Sequence, residues 1–423
     1  MKKKLLALTM VSAMVLSLVA CSSGSSTAPA TSDAAASEAS AATEETSDAA
    51  TEASTTAEAT GETADMKVAM VTDYGDITDQ SFNQTTYEAC KAWSEENGVD
   101  YTYYKPNGDS TADRVASVEQ AVMEGYNVIV MPGFAFAGTI VEVAGNYPDV
   151  KFIALDVAAG DILAEALGDK YDWNPANWNV AEHYNTENTY CAIYQEELSG
   201  YMAGYAAVKL GYKKLGFLGG MAVPAVMRFG YGFVQGADAA AAELGEKVDM
   251  NYAYGNQFYG DADITGKMDT WYQGGTEVVF ACGGGIYTSA AEAAAKVDGK
   301  VIGVDVDQAA IIDGKYGEGM TVTSAAKGLA ATVKDTLTGI KDGNWSNYVG
   351  KIETLGLISA DDPTANYVEI PMESTQWGDG FSQDDYKALV KDMFDGKVTV
   401  SNDISAEQPS AENVNIDFQG NLK

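Results

Sequence analysis

The sequence predicts an α/β protein of two lobes, each built on a parallel β-sheet. From residue 66 onward, short apolar segments alternate with longer amphipathic ones, which is the rhythm of β-α-β units. The short segments are apolar throughout, as expected for strands that helices cover on both faces. The rhythm starts again near residue 194, so we expect a second lobe similar to the first.

The first lobe is predicted from short strands separated by helices. The predicted strands are 67–72, 101–104, 127–131 and 151–155, and the predicted helices are 81–96, 112–124 and 137–146. Residues 157–186 break the rhythm with tryptophan, proline, asparagine and aspartate. We predict a long ordered loop there, which either shapes a site or only packs against the lobe.

The second lobe repeats the pattern. The predicted strands are 214–218, 248–254, 277–281, 300–305 and 320–324, and the predicted helices are 194–210, 225–244, 261–273, 287–297 and 325–340. The tail adds strand-like segments at 351–358 and 367–370 and a helix at 383–394. We expect the N-terminal lobe to comprise residues 66–187 and 308–342, and the C-terminal lobe residues 188–307 and 343–423.

The first 20 residues have the features of an export signal. Three lysines are followed by an apolar run at 5–20, which is too short to span a membrane and typical of a signal peptide. The run ends in Leu18-Val19-Ala20-Cys21, which resembles a bacterial lipobox. We therefore predict lipidation of Cys21 and anchoring at the extracytoplasmic face of the cell membrane. The alternative is an ordinary signal peptide with a chance cysteine. Residues 21–65, rich in Ala, Ser, Thr and Glu, are predicted to be a disordered linker.

Composition excludes several classes of partner and site. The chain has 61 acidic and 26 basic residues and a formal charge of −35, which repels nucleic acid and anionic lipid surfaces. It has one histidine, and Cys90, Cys191 and Cys282 lie far apart, so we predict neither a metal site nor a cofactor. Two of these cysteines could pair after export, and the sequence does not decide which.

Catalytic motifs are weak in this chain. There is no GxSxG motif, and a single histidine in an irregular segment is poor material for a triad. Paired carboxylates could indicate a glycosidase, but an acidic protein offers such pairs by chance. We therefore predict that the protein is not an enzyme.

Polar and aromatic residues follow the predicted strands, where open α/β sheets bind ligands. Three acids stand at strand ends, two phenylalanines and one lysine lie nearby, and a glycine run follows one strand. These residues are Asp73, Asp156, Asp305, Phe82, Phe280, Lys327 and Gly284. Carboxylates accept hydrogen bonds from hydroxyl or ring N–H groups but repel phosphate. The predicted ligand is therefore neutral or cationic, such as a nucleoside or sugar. Each residue also has a structural alternative, as a helix cap, a core side chain or a turn.

Several segments resemble the basic membrane protein family of bacterial lipoproteins, the purine-nucleoside-binding kind. The matching segments are VTDYGDITDQSFNQ (71–84), PDVKFIALD (148–156), YQEELSGYMAGYAA (194–207), GFLGGMAVPAVMRFGYGF (216–233), GVDVDQ (303–308) and TSAAK (323–327). The chain departs from the family in its long aromatic stretch at 157–193, in CGGGIY after Phe280 and in its tail beyond 345. These departures bear on base preference more than on fold.

The resemblance implies a type I periplasmic-binding-protein fold, with two α/β lobes joined by crossover strands that close on the ligand. It implies roles for residues already noted and for two others, Asn83 and Arg228. Phe82 and Phe280 would sandwich the base, Asn83 and Asp156 would contact its edge, and Asp73, Asp305, Gly284 and Lys327 would hold the ribose, with Arg228 a further candidate.

These expectations combine into one predicted function. The chain would be a monomeric lipoprotein that binds a nucleoside and delivers it to the permease and ATPase subunits of an ABC importer. The alternatives are a binding protein for a free sugar or another small polar ligand, a nucleoside- or sugar-cleaving enzyme, and a structural surface lipoprotein.

Overall fold

The computed structural model describes residues 65–423. The predicted signal peptide, Cys21 and all but the last residue of the predicted linker lie outside these residues. Within them, no helix has the length and apolar character needed to cross a membrane.

The described residues form two β-sheets. The strands are β1 (Lys67–Val71), β2 (Asp100–Tyr104), β3 (Val128–Pro132), β4 (Lys151–Leu155), β5 (Thr189–Tyr194), β6 (Lys214–Gly219), β7 (Val248–Tyr254), β8 (Val278–Cys282), β9 (Lys300–Asp305), β10 (Thr321–Lys327), β11 (Ile352–Leu355), β12 (Val368–Glu369) and β13 (Val414–Asn421). The first sheet has the order β11-β5-β4-β3-β1-β2, and the second has the order β12-β10-β9-β8-β6-β7-β13. Only the short β10–β12 pair is antiparallel, so the predicted parallel-sheet class is confirmed.

Helices connect the strands. They are α1 (Phe82–Asn97), α2 (Thr111–Met123), α3 (Phe136–Val143), α4 (Ala159–Leu167), α5 (Glu196–Lys209), α6 (Pro224–Leu244), α7 (Ala262–Gln273), α8 (Tyr287–Ala294), α9 (Ala309–Tyr316), α10 (Leu329–Lys341) and α11 (Gln383–Phe394). The predicted long loop at 157–186 is wrong in its first third, because α4 begins the segment and buries Ile162 and Leu163. Short 3₁₀ turns follow it.

The division of the chain between the sheets differs from the predicted lobe boundaries. β10 was placed with the N-terminal lobe but pairs with β9 in the second sheet. β5 and β11 were placed with the C-terminal lobe but pair with each other, and β5 pairs with β4, in the first sheet. Helix α10 does pack on the first lobe, where Trp93 Nε1 donates to Thr338 Oγ1 at 2.9 Å. The chain therefore crosses between lobes after β5, after β10 and after β11.

Helices α5 and α6 of the second lobe are in direct backbone contact. A Cβ atom on Gly200 would lie 2.2 Å from the carbonyl oxygen of Phe229, and one on Gly232 would lie 2.1 Å from that of Glu197. Only glycine permits this approach. The close packing brings the N-terminal turns of the two helices together, next to the ends of the second sheet.

The three cysteines of the described residues are buried and free. Cys90 lies in α1, Cys191 in β5 and Cys282 at the end of β8, so no two of them share an element. The possibility of a disulfide between them is therefore not realised in this structure.

Candidate functional site

A cleft lies between the two lobes, at the carboxyl ends of strands from both sheets. Seven of the eight predicted ligand-binding residues line it: Asp73, Phe82, Asn83, Asp156, Gly284, Asp305 and Lys327. The topology explains this grouping, because parallel strands place their carboxyl ends on one edge of each sheet. The two lobes bring these edges face to face.

Phe280 does not line the cleft, and its predicted role in the sandwich is not supported by its position. It is the third residue of β8 and is fully buried. Its ring centroid lies 5.2 Å from that of Phe233, 5.5 Å from that of Phe217 and 6.1 Å from that of Phe229. The side chain therefore points into the core beneath α6, whereas Cys282, two residues further along β8, reaches the cleft.

Other aromatic residues line the cleft and were not predicted: Phe134, Phe229 and Phe258. Phe258 is half-buried and follows the end of β7 by four residues. Extending the strand-end search past β7 would have found it. The Tyr74 ring of the first lobe lies 5.9 Å from that of Phe134 and 6.2 Å from that of Phe258, so aromatic rings of both lobes meet beside the cleft.

Asp73 and Asn83 form one polar group of the site. Asp73 Oδ1 accepts from the Gly75 backbone N–H at 3.1 Å and from Asn83 Nδ2 at 3.0 Å. Burial raises the pKa of Asp73 to about 6, against the lowering effect of these two hydrogen bonds. Asn83 Nδ2 also lies 3.2 Å from Asp79 Oδ2, so its amide N–H groups already have partners. In this structure Asn83 orients the two carboxylates beside it.

Gly133 makes room for the Asp73 carboxylate. Its φ is +130°, a conformation that favours glycine, and an added Cβ would lie 2.2 Å from Asp73 Oδ2. A larger residue at 133 would therefore displace the carboxylate from the cleft.

Lys327 is the centre of a second polar group. Its Nζ lies 2.5 Å from Asp156 Oδ2, 3.5 Å from Glu196 Oε1 and 3.6 Å from Asp305 Oδ1. The ammonium also lies 4.7 Å from the centre of the Phe82 ring, within the range of a cation–π interaction. Burial alone would lower the pKa of Lys327, but the three carboxylates outweigh it and hold the pKa above its ordinary value. The lysine therefore stays charged.

Asp156 and Asp305 occupy matching positions in the two lobes. Asp156 follows β4 directly and Asp305 is the last residue of β9, and both have left-handed backbone conformations, with φ of 62° and 68°. This conformation is uncommon for residues other than glycine and is often found at functional sites. Burial raises the pKa of Asp156, and the neighbouring carboxylates add to the rise that Lys327 opposes.

Hydrogen bonds link the lobes across the cleft. Ser81 Oγ donates to Asp305 Oδ2 at 2.6 Å, and Gln308 Nε2 donates to the Gln80 carbonyl oxygen at 2.9 Å. Together with the contact of Lys327 with Asp156, they describe a closed arrangement of the lobes.

The chemistry of the cleft suits binding. Its described lining consists of carboxylates, one ammonium, one amide, phenyl rings, aliphatic side chains, a thiol and glycine backbone. The one thiol, Cys282, is a poor nucleophile, because burial raises its pKa and keeps it protonated.

Sequence comparison finds relatives that are named as a nucleoside-binding protein and as a lipoprotein. The ABC transporter nucleoside-binding protein BmpA of Lactococcus lactis subsp. cremoris is 29% identical over 355 residues, which are 79% of this chain and 89% of that protein. An uncharacterized lipoprotein of Pyrococcus abyssi is 26% identical over 306 residues, which are 70% of this chain and 68% of that protein.

Solved structures share the fold. An ABC transporter solute-binding protein of Aeropyrum pernix has a TM-score of 0.57 at 21% identity, covering 79% of this chain and 87% of its own. An ABC transporter solute-binding protein of Conexibacter woesei has a TM-score of 0.57 at 22% identity, covering 80% of this chain and 99% of its own. The predicted α/β fold of the periplasmic-binding type is thereby confirmed.

The family model for PnrA-like ABC transporter substrate-binding proteins matches residues 66–360, which confirms the predicted relationship. It covers strands of both sheets, up to β11, and every predicted ligand-binding residue. This chain belongs to the Bmp family of PnrA-like ABC transporter substrate-binding proteins.

Proposed function

We propose that the protein binds a nucleoside, and by its family a purine nucleoside, in the cleft between the lobes and delivers it to the permease of an ABC importer. The observation that carries the proposal is the joint presence of half-buried phenyl rings and buried or half-buried carboxylates in one closed cleft. Phenyl rings suit the flat faces of a base. Ionised carboxylates accept hydrogen bonds from paired hydroxyls or from ring N–H groups.

The proposed stacking residues are Phe82 of the first lobe and Phe258 of the second. Both line the cleft and are half-buried, so a bound base can still cover their exposed surface. Phe258 thus takes the role that the sequence suggested for Phe280. The assignment of Asn83 and Asp156 to the base, and of Asp73, Asp305, Gly284 and Lys327 to the ribose, stays a prediction.

The charge of the cleft predicts discrimination against phosphate. Asp73, Asp79, Asp156 and Asp305 line the cleft, and Lys327 is the only cation among its described lining residues. Placing a phosphate dianion beside them is unfavourable by several kcal/mol, so a nucleoside should bind at least about a hundredfold more tightly than its 5′-monophosphate. Isothermal titration calorimetry of the 65–423 protein with inosine, guanosine and their monophosphates measures this ratio.

Matched ligands in the same titration separate the alternatives. Tighter binding of ribose or glucose than of any nucleoside would favour a sugar-binding protein. Release of free base on long incubation would favour an enzyme. Equal or tighter binding of the monophosphate contradicts the proposed site.

We further propose that a lipid on Cys21 anchors the protein outside the cytoplasm. The proposal is supported by the lipobox and by relatives from two Pyrococcus species that are named lipoproteins. Cys21→Ser should move the full-length protein from the membrane fraction to the soluble fraction, as followed by immunoblotting. Retention of the variant at the wild-type level in the membrane fraction would show that the anchor is assigned to the wrong residue.

A further inference from the structure

Glu196 is a buried carboxylate that the proposed ligand contacts do not include. It is the first residue of α5, directly after the crossover from β5, and it is fully buried. It is not among the residues that line the cleft. Its Oε2 accepts from Arg228 Nε at 2.6 Å, and its Oε1 lies 3.5 Å from Lys327 Nζ with no hydrogen bond among the described residues.

The place of Glu196 differs from that of the other carboxylates around Lys327. Asp156 and Asp305 line the cleft, so a ligand with hydroxyl or N–H donors competes with Lys327 for both. Glu196 lies behind the ammonium, where the ligand does not reach. It is therefore the partner that stays with Lys327 when a ligand binds.

Glu196 and Lys327 also belong to the same lobe. Lys327 ends β10 in the second sheet, immediately before the crossover to α10, and Glu196 begins α5, which packs on α6. Asp156 directly follows β4, a strand of the first sheet. If the lobes separate, the Asp156 contact is lost and the Glu196 contact is kept.

We propose that Glu196, held by Arg228, is a positioning residue that keeps the Lys327 ammonium in place beneath the Phe82 ring and thereby sets the affinity for ligand. This proposal rests on nucleoside binding as the proposed function. Arg228 forms its ion pair with Glu196 and reaches Lys327 only through that carboxylate. The contact between Glu196 and Lys327 thus links the crossover after β5 to the crossover after β10.

The same geometry predicts an effect of Glu196 on Asp156. The charged and titratable groups that surround Asp156 are Lys327, Glu196, Asp305, Arg228 and Tyr194. Burial is the main cause that raises the pKa of Asp156, Lys327 lowers it, and Glu196 and Asp305 raise it. Removing the Glu196 charge should therefore lower the pKa of Asp156.

Ligand binding should report this change. Donors from a ligand favour the ionised form of Asp156, so affinity should rise with pH until Asp156 is ionised in the free protein. In Glu196→Gln this rise should occur at lower pH, displaced by about half a unit or more. At pH 8, where the carboxylate is ionised in both proteins, the variant should bind inosine at least about fivefold more weakly, because Lys327 has lost its fixed partner.

The test uses two variants, because Glu196→Gln leaves Arg228 buried beside a neutral side chain. Removing both charges of a buried pair is often nearly neutral for folding, so Glu196→Gln with Arg228→Met should melt close to the wild type. The double variant should still show weaker binding, but its pH profile should move less than that of Glu196→Gln, because the Arg228 charge that it also loses acts on Asp156 in the opposite sense. A double variant with wild-type affinity would show that the pair only supports the packing of α5 against α6.

A ligand-free measurement keeps the inference separate from the proposed function. Carbon-13 NMR of aspartate carboxyls, with Asp156 assigned through Asp156→Asn, follows the titration of Asp156 in the wild type and in Glu196→Gln. A lower midpoint in the variant supports the inference, and an unchanged midpoint overturns it. Absence of inosine and guanosine binding by the wild type would refute the proposed function instead, while the NMR comparison would still decide whether Glu196 acts on the Lys327 cluster.

Discussion

Lys327→Met is expected to lower the free energy of unfolding by about 3–5 kcal/mol at pH 8, because it removes one partner of a buried charge cluster. The Lys327 side chain is 3% exposed, and its ammonium lies within 3.6 Å of Asp156, Glu196 and Asp305. Methionine fills a similar volume without the charge. Among the described residues, Arg228 then remains as the cation that pairs with Glu196.

The pH dependence of this loss has a defined sign. Without Lys327 the pKa of Asp156 rises further above its unfolded value near 4. The folded variant then binds protons that the unfolded chain releases, so its stability is highest at acidic pH and falls as pH rises through the raised pKa. The deficit relative to wild type should therefore be smaller at pH 5.5 than at pH 8. Urea unfolding at both values measures it.

Lys213→Met is the matched control. Lys213 Nζ lies 2.8 Å from Glu246 Oε1 on the surface, with the lysine side chain 53% exposed. An exposed pair contributes about 0–1 kcal/mol, so the control should unfold close to wild type at both pH values. If Lys327→Met behaves like this control, the Lys327 cluster does not have the energetic role derived from its geometry.

Phe280→Ala is expected to lower the free energy of unfolding by about 3–5 kcal/mol, the range for truncating a buried phenylalanine. Its ring packs against those of Phe217, Phe229 and Phe233, and no part of it is exposed. Phe258→Ala should leave stability nearly unchanged and weaken nucleoside binding by about tenfold or more, since stacking on one base contributes about 1–3 kcal/mol. Urea unfolding and calorimetry of both variants separate the two effects.

Ligand choice sharpens this comparison. Phe258→Ala should weaken the binding of a nucleoside. It should leave the binding of ribose, where ribose binds at all, unchanged. Binding to Phe280→Ala should be measured at a temperature where the variant is folded. Phe229 lines the cleft and contacts Phe280, so unfolding around position 280 would also disturb the cleft. If Phe280→Ala is stable but loses nucleoside binding, while Phe258→Ala binds like wild type, the original assignment of the stacking residue is right and the present one is wrong.

The two phenylalanines show where strand-end reasoning succeeds and where it stops. Asp73 lies two residues after β1, Asp156 directly follows β4 and Asp305 ends β9, so their place at the cleft follows from sheet geometry alone. Phe280 lies two residues before the end of β8, and the apolar run VVFAC does not show which face of the sheet each side chain covers. Phe258 stands in a loop after β7, and only the approach of the first lobe makes that loop part of the cleft.

Glu196 and Arg228 show a different limit. Both lie in segments that match the family, yet they are 32 residues apart in the chain, and nothing local indicates that they form a pair. Their contact depends on the backbone approach of α5 and α6 at Gly200 and Gly232. In the sequence, a glycine within a helix can mean either close packing against another element or a tolerated weak point. Which backbone packs against Gly200 and Gly232 is therefore known only from the fold.

By itself, the sequence determined the α/β class, the repeated rhythm and the polar residues at strand ends, because each depends on hydrophobic periodicity within a short segment. Only the tertiary structure decided that β10 belongs to the second sheet and β5 and β11 to the first, since strand pairing is a choice among partners distant in the chain. It also decided that Lys327 joins carboxylates from both lobes. The energy of a buried charge depends on every group packed around it, and that environment exists only once the lobes have folded and met.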